Sequence, residues 1–334
     1  MKPRVFPFLL SYAAGIAILI GAVWIAVAVA ASPPTVQRQA NGEVLIQQTT
    51  TAGQYFRVEA STDLQAWTPL VTLLSGGVLQ HTDSAAPYFP QRFYRIANLT
   101  GNAILTGDHL VTSAGDAVIH PVNHASFVMS WNGKMIYGDP VGAASLYSSF
   151  PKADLILISH SHSDHYSNTT LAAVVNAGAQ IVAPQAVYNG MTAALKAMTT
   201  VMLTGQAIPA NNTPPQSLMG VTIEAIPAYN ANHPLGTGNG YVLNLGGKRI
   251  FQSGDTGDTP EMRALTNIDA SFVCMNVPFT MTVASAAGVV RAFRPRVVFP
   301  YHYRNQDNSL ADLNSFKQQV GTDLGIEVRL RTWY

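Results

Sequence analysis

Four side chains able to hold a metal ion fall within six residues, His160-Ser161-His162-Ser163-Asp164-His165. They follow almost directly on the apolar run Leu155-Ile156-Leu157-Ile158, which reads as a buried strand. Three imidazoles packed together repel one another once protonated and would serve no apolar core, so the hexapeptide calls for a metal. His160 and His162 are two apart, and extended backbone points both to one side. Asp164 and His165 then turn toward a second ion nearby. Imidazole and carboxylate together suit zinc, with manganese or iron as alternatives. Two divalent ions roughly 3.5–4 Å apart could hold a bridging hydroxide.

The surrounding chain has an α/β texture from about Leu99 to Tyr334. Strand-like runs include Val118-Ile119, Phe127–Met129, Met135–Tyr137, Leu155–Ile158, Ile181–Ala183, Val221–Ile223, Tyr241–Leu243, Arg249–Phe251, Ala270–Val273 and Val297–Phe299. Helix-like stretches run over Thr170–Ala177, Asn189–Ala197, Pro260–Leu265, Val283–Ala292 and Ser309–Val320. There is no Gly-x-Ser-x-Gly elbow for a serine hydrolase, and no Gly-x-Gly-x-x-Gly turn placed for a dinucleotide.

The 334 residues suffice for more than one domain. Lys2 and Arg4 precede an apolar run over 6–31 that is long enough for a bilayer span of roughly 20 residues. Ala28-Val29-Ala30 and Ala30-Ala31-Ser32 resemble small-residue cleavage sites. Residues 1–31 are therefore a signal peptide or a membrane anchor. The rest of the chain is expected to be exported: periplasmic, extracellular, or held on the outer face of the cytoplasmic membrane. Residues 32–42, with Pro33 and Pro34, read as a linker. Residues 43–98 show several short strands between turn signals and read as a small all-β module. Residues 99–334 form the α/β domain. A formal net charge of +1 with 11% charged residues argues against a nucleic-acid partner. Cys274 is the only cysteine, so an intrachain disulfide framework is excluded.

Two resemblances follow from these words. YFRVEASTDLQAWTPL and TDSAAPYFPQRFYRI, with Trp67 and Arg92-Phe93-Tyr94-Arg95, resemble a small β-sandwich module of many secreted bacterial proteins. That likeness implies spacing, display or weak binding and no chemistry. His-x-His-x-Asp-His after a hydrophobic strand resembles the signature of the metallo-β-lactamase superfamily. HASFVMSWNGKMIYGDP, AYNANHPLGTGNGYVLNLGGKRIFQSGDTGDTPEM and IDASFVCMNVPFTMTVASAAGVVRAFRPRVVFPYHY resemble one branch of it. That branch holds ascorbate-6-phosphate lactonase-like proteins and N-acyl-phosphatidylethanolamine phospholipase D-like hydrolases. The resemblance spans nearly all of Gly115 to Tyr334 and implies an αββα sandwich.

The resemblance also implies ligands. Asp255 matches the bridging carboxylate, and His302 the last histidine, which joins Asp164 and His165 at the second metal. His233 is the candidate third ligand of the first metal, beside His160 and His162. In many relatives that histidine stands where this chain has Asn230, so either Asn230 or His233 completes the site. Asp139 is expected to hydrogen-bond and orient a ligand loop. Tyr229, Tyr301 and Tyr303 lie beside ligands and would line the site or donate to a developing oxyanion. His120 and His124 could line the site or be satisfied elsewhere. Arg304 could pair with a phosphate or carboxylate.

The expected activity is metal-dependent hydrolysis by a metal-bound hydroxide, on a lactone or phosphodiester in a small or lipid-like molecule. Asp164 is the candidate proton shuttle. A β-lactamase is the alternative of the same class. A non-catalytic surface binding protein is the alternative of another class.

Overall fold

The structure, a computed structural model, describes residues 33–100, 105–205, 207–208 and 218–334. The apolar segment 1–31, expected as a signal peptide or anchor, lies outside them. Among the described residues no helix is long and apolar enough to cross a membrane.

Two large sheets form the body. The first has ten strands in the order Thr199–Val201, Val175–Ala183, Ala153–Leu157, Lys134–Gly138, Ser126–Trp131, Gly115–Asn123, Gly107–Thr112, Thr68–Leu74, Tyr55–Ser61, Phe93–Leu99. The second has seven, in the order Ala207–Ile208, Thr222–Ala228, Gly238–Leu245, Lys248–Gln252, Ala270–Cys274, Val297–Tyr301, Glu327–Val328. Period-two alternation explains how the layers stack. Phe127, Met129, Leu155 and Leu157 enter the core between the sheets, while Val128, Ile156 and Ile158 enter a second core on the outer face. Leu171, Val174, Val187 and Leu195, from short helices after the ligand loop, close that outer core. The ring of Phe127 stacks on Phe272 of the other sheet, with centroids 4.5 Å apart. Helices Val283–Phe293 and Leu313–Val320 cover the second sheet with Ala286, Val290, Phe293 and Phe316. The result is the expected helix–sheet–sheet–helix sandwich.

Four strands at one side of each sheet are parallel. Lys134–Gly138, Ala153–Leu157, Val175–Ala183 and Thr199–Val201 run together. So do Lys248–Gln252, Ala270–Cys274, Val297–Tyr301 and Glu327–Val328. Parallel strands place their carboxyl ends on one edge, so the loops that leave them gather there.

The N-terminal region departs from the expected segmentation. The stretch 32–42, read as a linker, carries the strand Thr35–Arg38, paired with Val44–Thr49. Within 43–98, Val44–Thr49 and Val78–Asp83 form a separate three-stranded sheet with Thr35–Arg38, whereas Tyr55–Ser61, Thr68–Leu74 and Phe93–Leu99 join the ten-stranded sheet. Thr68–Leu74 pairs with Gly107–Thr112 through Val71↔Asp108 and Thr72↔Gly107, so the ten-stranded sheet runs on without a break. Backbone hydrogen bonds crossing this boundary decide the matter, and composition carries no trace of them. The expected helix Thr170–Ala177 is shorter and begins earlier, at Asn168–Val174, and the chain turns into a strand at Val175. Asn189–Ala197 splits into Gln185–Gly190 and Ala193–Lys196.

Candidate metal centre

Each ligand-type side chain stands on a loop leaving the carboxyl end of a strand. The 158–165 loop follows Ala153–Leu157, Asp139 follows Lys134–Gly138, and His233 lies beyond Thr222–Ala228. Asp255 follows Lys248–Gln252, and His302 follows Val297–Tyr301. The turn before Asp255 needs glycine. Gly254 has φ +59°, and a Cβ there would meet the Asn239 carbonyl and Ser159 Cβ at 2.9 Å.

The loops bring the donors into three overlapping groups: His160, His162 and His233; His160, His165 and Asp255; and His124, Asp164, His165 and His302. Asp255 stands between two of them. Its Oδ2 faces His233 Nε2 at 3.6 Å and His160 Nε2 at 4.0 Å. Its Oδ1 faces His165 Nε2 at 3.2 Å and His302 Nε2 at 3.5 Å. Asp164 Oδ2 lies 3.4 Å from His302 Nε2 and 3.8 Å from His165 Nε2. One oxygen of Asp255 thus serves each half of the cluster.

Several of the polar atoms aimed inward are left without hydrogen bonds. His160 Nε2, His165 Nε2, His302 Nε2 and Asp255 Oδ1 are buried and unpartnered. Buried polar atoms are almost always satisfied, so four orphans converging on one point mark a place built for a cation. Nitrogen and carboxylate donors in this number fit zinc, iron or manganese. The residues present therefore fit a metal centre.

The outward atoms, by contrast, are held. Asp139 is fully buried, and its carboxylate accepts four hydrogen bonds. They come from the Ser159 backbone N–H at 2.7 Å, Ser159 Oγ at 2.7 Å, His165 Nδ1 at 2.9 Å and Gln252 Nε2 at 2.9 Å. That fixes the His165 ring and leaves Nε2 to face the cluster, the carboxylate–histidine arrangement common behind metal ligands. Asn230 does the same for His233. Its Oδ1 accepts from His233 Nδ1 at 3.0 Å and from the His233 backbone N–H at 3.1 Å. Imidazole therefore fills the third position of the first group, with Asn230 behind it.

The charges are distributed unevenly. Burial raises the Asp255 carboxyl, but the surrounding histidines, His302 and His165 first, outweigh it and hold the group well below the carboxylate range. Asp164 is held low in the same way: burial is outweighed by the His124 hydrogen bond and by the neighbouring imidazoles of His302 and His165. Burial pulls His165 down, yet Asp255 and Asp139 push it well above its ordinary value. His160 and His233 are lowered, in each case chiefly by burial. Two carboxylates thus stay ionised against the histidines, Asp255 buried and Asp164 partly exposed.

His124 belongs to the cluster. It sits in the left-handed region at φ +56°, in the turn after Gly115–Asn123. Its Nε2 lies 3.0 Å from Asp164 Oδ2, and its Nδ1 lies 2.9 Å from the Tyr334 hydroxyl. An ionised carboxylate only accepts, so Nε2 carries the proton and Nδ1 accepts from Tyr334. His120 lies apart, packed on Phe150 and bonded to Thr106.

The three tyrosines do not reach the centre. Tyr301 is buried, and its hydroxyl accepts from the Gly254 N–H at 2.9 Å. The Tyr303 hydroxyl donates to the Arg331 carbonyl and accepts from the Trp333 N–H. The Tyr229 hydroxyl donates to Glu261. Neighbouring residues along a chain can point in different directions, and each of these hydroxyls is already engaged. Tyr334, at the end of the chain, is the tyrosine that approaches the site.

Residues 119–302 match the beta-lactamase superfamily domain, more than half of the chain. A UPF0173 metal-dependent hydrolase of Pyrococcus abyssi is 30% identical over 213 residues, covering 60% of this chain and 90% of the relative. One of Carboxydothermus hydrogenoformans is 27% identical over 230 residues, covering 63% and 94%. The crystal structure of a protein from Parabacteroides distasonis, described as a metal-dependent hydrolase, aligns with TM-score 0.58 and 34% identity over 67% of this chain and 97% of that one. Igni18, a metallo hydrolase of Ignicoccus hospitalis, shares the fold at TM-score 0.53 and 23% identity, over 64% of this chain and 94% of its own. The chain belongs to the metallo-β-lactamase superfamily, among its metal-dependent hydrolases.

Proposed function

We propose that the chain hydrolyses a lactone or phosphodiester bond in a small or lipid-like molecule, and that it does so with two divalent ions, zinc first. The observation that carries this reading is the convergence of unpartnered donors from His160, His165, His302 and Asp255 on one point. His160, His162 and His233 would hold one ion, Asp164, His165 and His302 the other, with Asp255 shared. Ions bound there would polarise the scissile group and make water nucleophilic near neutral pH.

The chain's own residues provide the rest. A cleft of about 310 Å³ opens over the cluster, lined by His162, Asp164, Asn232, His233, Asp255 and Phe279. That size admits a small ring or the head of a larger molecule. Asp164 is the accessible carboxylate, its side chain 45% exposed, whereas Asp255 is buried. The His124 N–H holds one Asp164 oxygen and leaves the other to take a proton from the reacting group. Asp139 and Asn230 keep His165 and His233 from rotating as charge moves.

The test is turnover of a bis-aryl phosphodiester and of a simple lactone by metal-loaded protein, beside Asp164→Ala. Turnover of either substrate, lost in Asp164→Ala while the fold is kept, is the expected outcome. Unchanged turnover in that variant would remove Asp164 and the paired-ion reading together.

A further inference from the structure

A second cleft, of about 480 Å³, shares Ser163 and Asp164 with the first but extends toward His124, away from His162 and His233. Its walls include Asn123, His124, Arg304 and Tyr334. We propose that it binds an anionic group, a carboxylate or a phosphate, carried by the substrate at a distance from the bond that is cleaved. The inference rests on the hydrolase reading for the other end of that substrate.

Arg304 is the reason. Its guanidinium lies over the Tyr334 ring, 4.2 Å from the centroid, which fixes the plane of its donors. Its one side-chain hydrogen bond among the described residues is a long contact from Nη1 to the Asn308 carbonyl, at 3.4 Å. Among the described residues no carboxylate lies within 4.0 Å of it, whereas Arg249 and Arg331 each hold one. The only carboxylate on the cleft wall among the described residues is Asp164, and its Oδ2 is engaged by His124. A half-buried cation therefore faces the cleft without a counter-charge. The Asn123 amide and the Ser163 hydroxyl line the same cleft, and neither side chain has a hydrogen-bond partner among the described residues. A fixed guanidinium fork flanked by neutral donors suits a planar carboxylate or a phosphate.

The wall is also tied to the reacting end. The Tyr334 hydroxyl accepts from the Arg304 backbone N–H at 3.2 Å and donates to His124 Nδ1. His124 in turn holds Asp164. An anion seated on Arg304 would lie beside the carboxylate nearest the open side of the cluster. Arg304 is then a specificity residue that sets which substrates are positioned.

The test uses matched pairs on the metal-loaded full chain: a neutral lactone against the same lactone bearing a carboxylate or a phosphomonoester. The charged member should show a KM lower by about tenfold, the scale of one charge-assisted contact. The carboxylate and phosphate arms show which anion is taken. Arg304→Gln should collapse the charged-to-neutral KM ratio, and Arg304→Lys should restore part of it, with melting temperatures reporting the fold of both variants. A ratio unchanged in Arg304→Gln overturns the proposal. If no pair is turned over, the hydrolase reading fails, and the anion site is read by itself. Phosphate or succinate should then raise the melting temperature of wild type more than that of Arg304→Gln, and equal shifts overturn it.

Discussion

At the residue scale the centre separates atoms that point inward from atoms that hold them. Asp139 shows the division most clearly, because its carboxylate holds the His165 ring and the N–H and hydroxyl of Ser159, the residue before His160. Replacing it by Asn puts an amide N–H₂ where donors already point, leaving some of them unsatisfied. Asp139→Asn should weaken metal affinity about 10–100-fold and cost about 1–3 kcal/mol of stability. Metal titration and urea unfolding measure the two effects separately. The run from His160 to His165 was legible because its residues are adjacent in sequence. Asp255 and His302 came only from resemblance. His233 against Asn230 was left open by sequence, since the choice depends on which ring nitrogen Asn230 holds. His124 and Tyr334 were not legible as partners: they are 210 residues apart and meet only after folding. A histidine in a turn before a strand was the single signal. Tyr229, Tyr301 and Tyr303 were placed by proximity in sequence, which says nothing about where a side chain points.

At the element scale the two parallel strand groups deliver the ligand loops to one edge, and their register depends on the packing between the sheets. Phe272 is fully buried there and contacts Phe127, Phe299, Tyr301 and Trp333. Phe272→Ala should cost about 3–5 kcal/mol, read as a lower urea midpoint with an unchanged slope. A loss below about 1 kcal/mol would mean that this contact does not set the register. Strands were legible because apolar runs of this length bounded by turn residues are a strong signal. Helix ends were less so. Val174 and Val175 sit at a boundary where a β-branched pair suits either structure, and pairing with Ala153 makes Val175 a strand residue.

At the scale of the whole molecule the N-terminal strands and the C-terminal tail are fastened to one another. The Tyr88 hydroxyl donates to the Ile326 carbonyl, Ser84 to Glu327, and Arg331 pairs with the buried Asp108. Lys317 pairs with Glu43. This explains why 43–98 do not stand apart, and why Tyr334 is placed against His124. Such contacts join residues more than 200 apart, which no local pattern reports. His81 lies in this region, and burial, then Arg331, holds its imidazole down to about 3. In the unfolded chain it takes up a proton near 6.5. Below that pH the unfolded state binds a proton that the folded state refuses, so stability falls as pH drops from 6.5 toward 3. His81→Leu should flatten that slope, measured by urea unfolding at a series of pH values. A slope unchanged by the substitution would place the sensitivity elsewhere.

The central claim is that the buried cluster is a metal centre. Elemental analysis of the purified protein, reconstituted with zinc and dialysed, tests it directly against Asp255→Ala. The account predicts about two ions per chain, as a paired site requires, and fewer in the variant, which loses the shared carboxylate. No retained metal in the folded wild-type protein would contradict it.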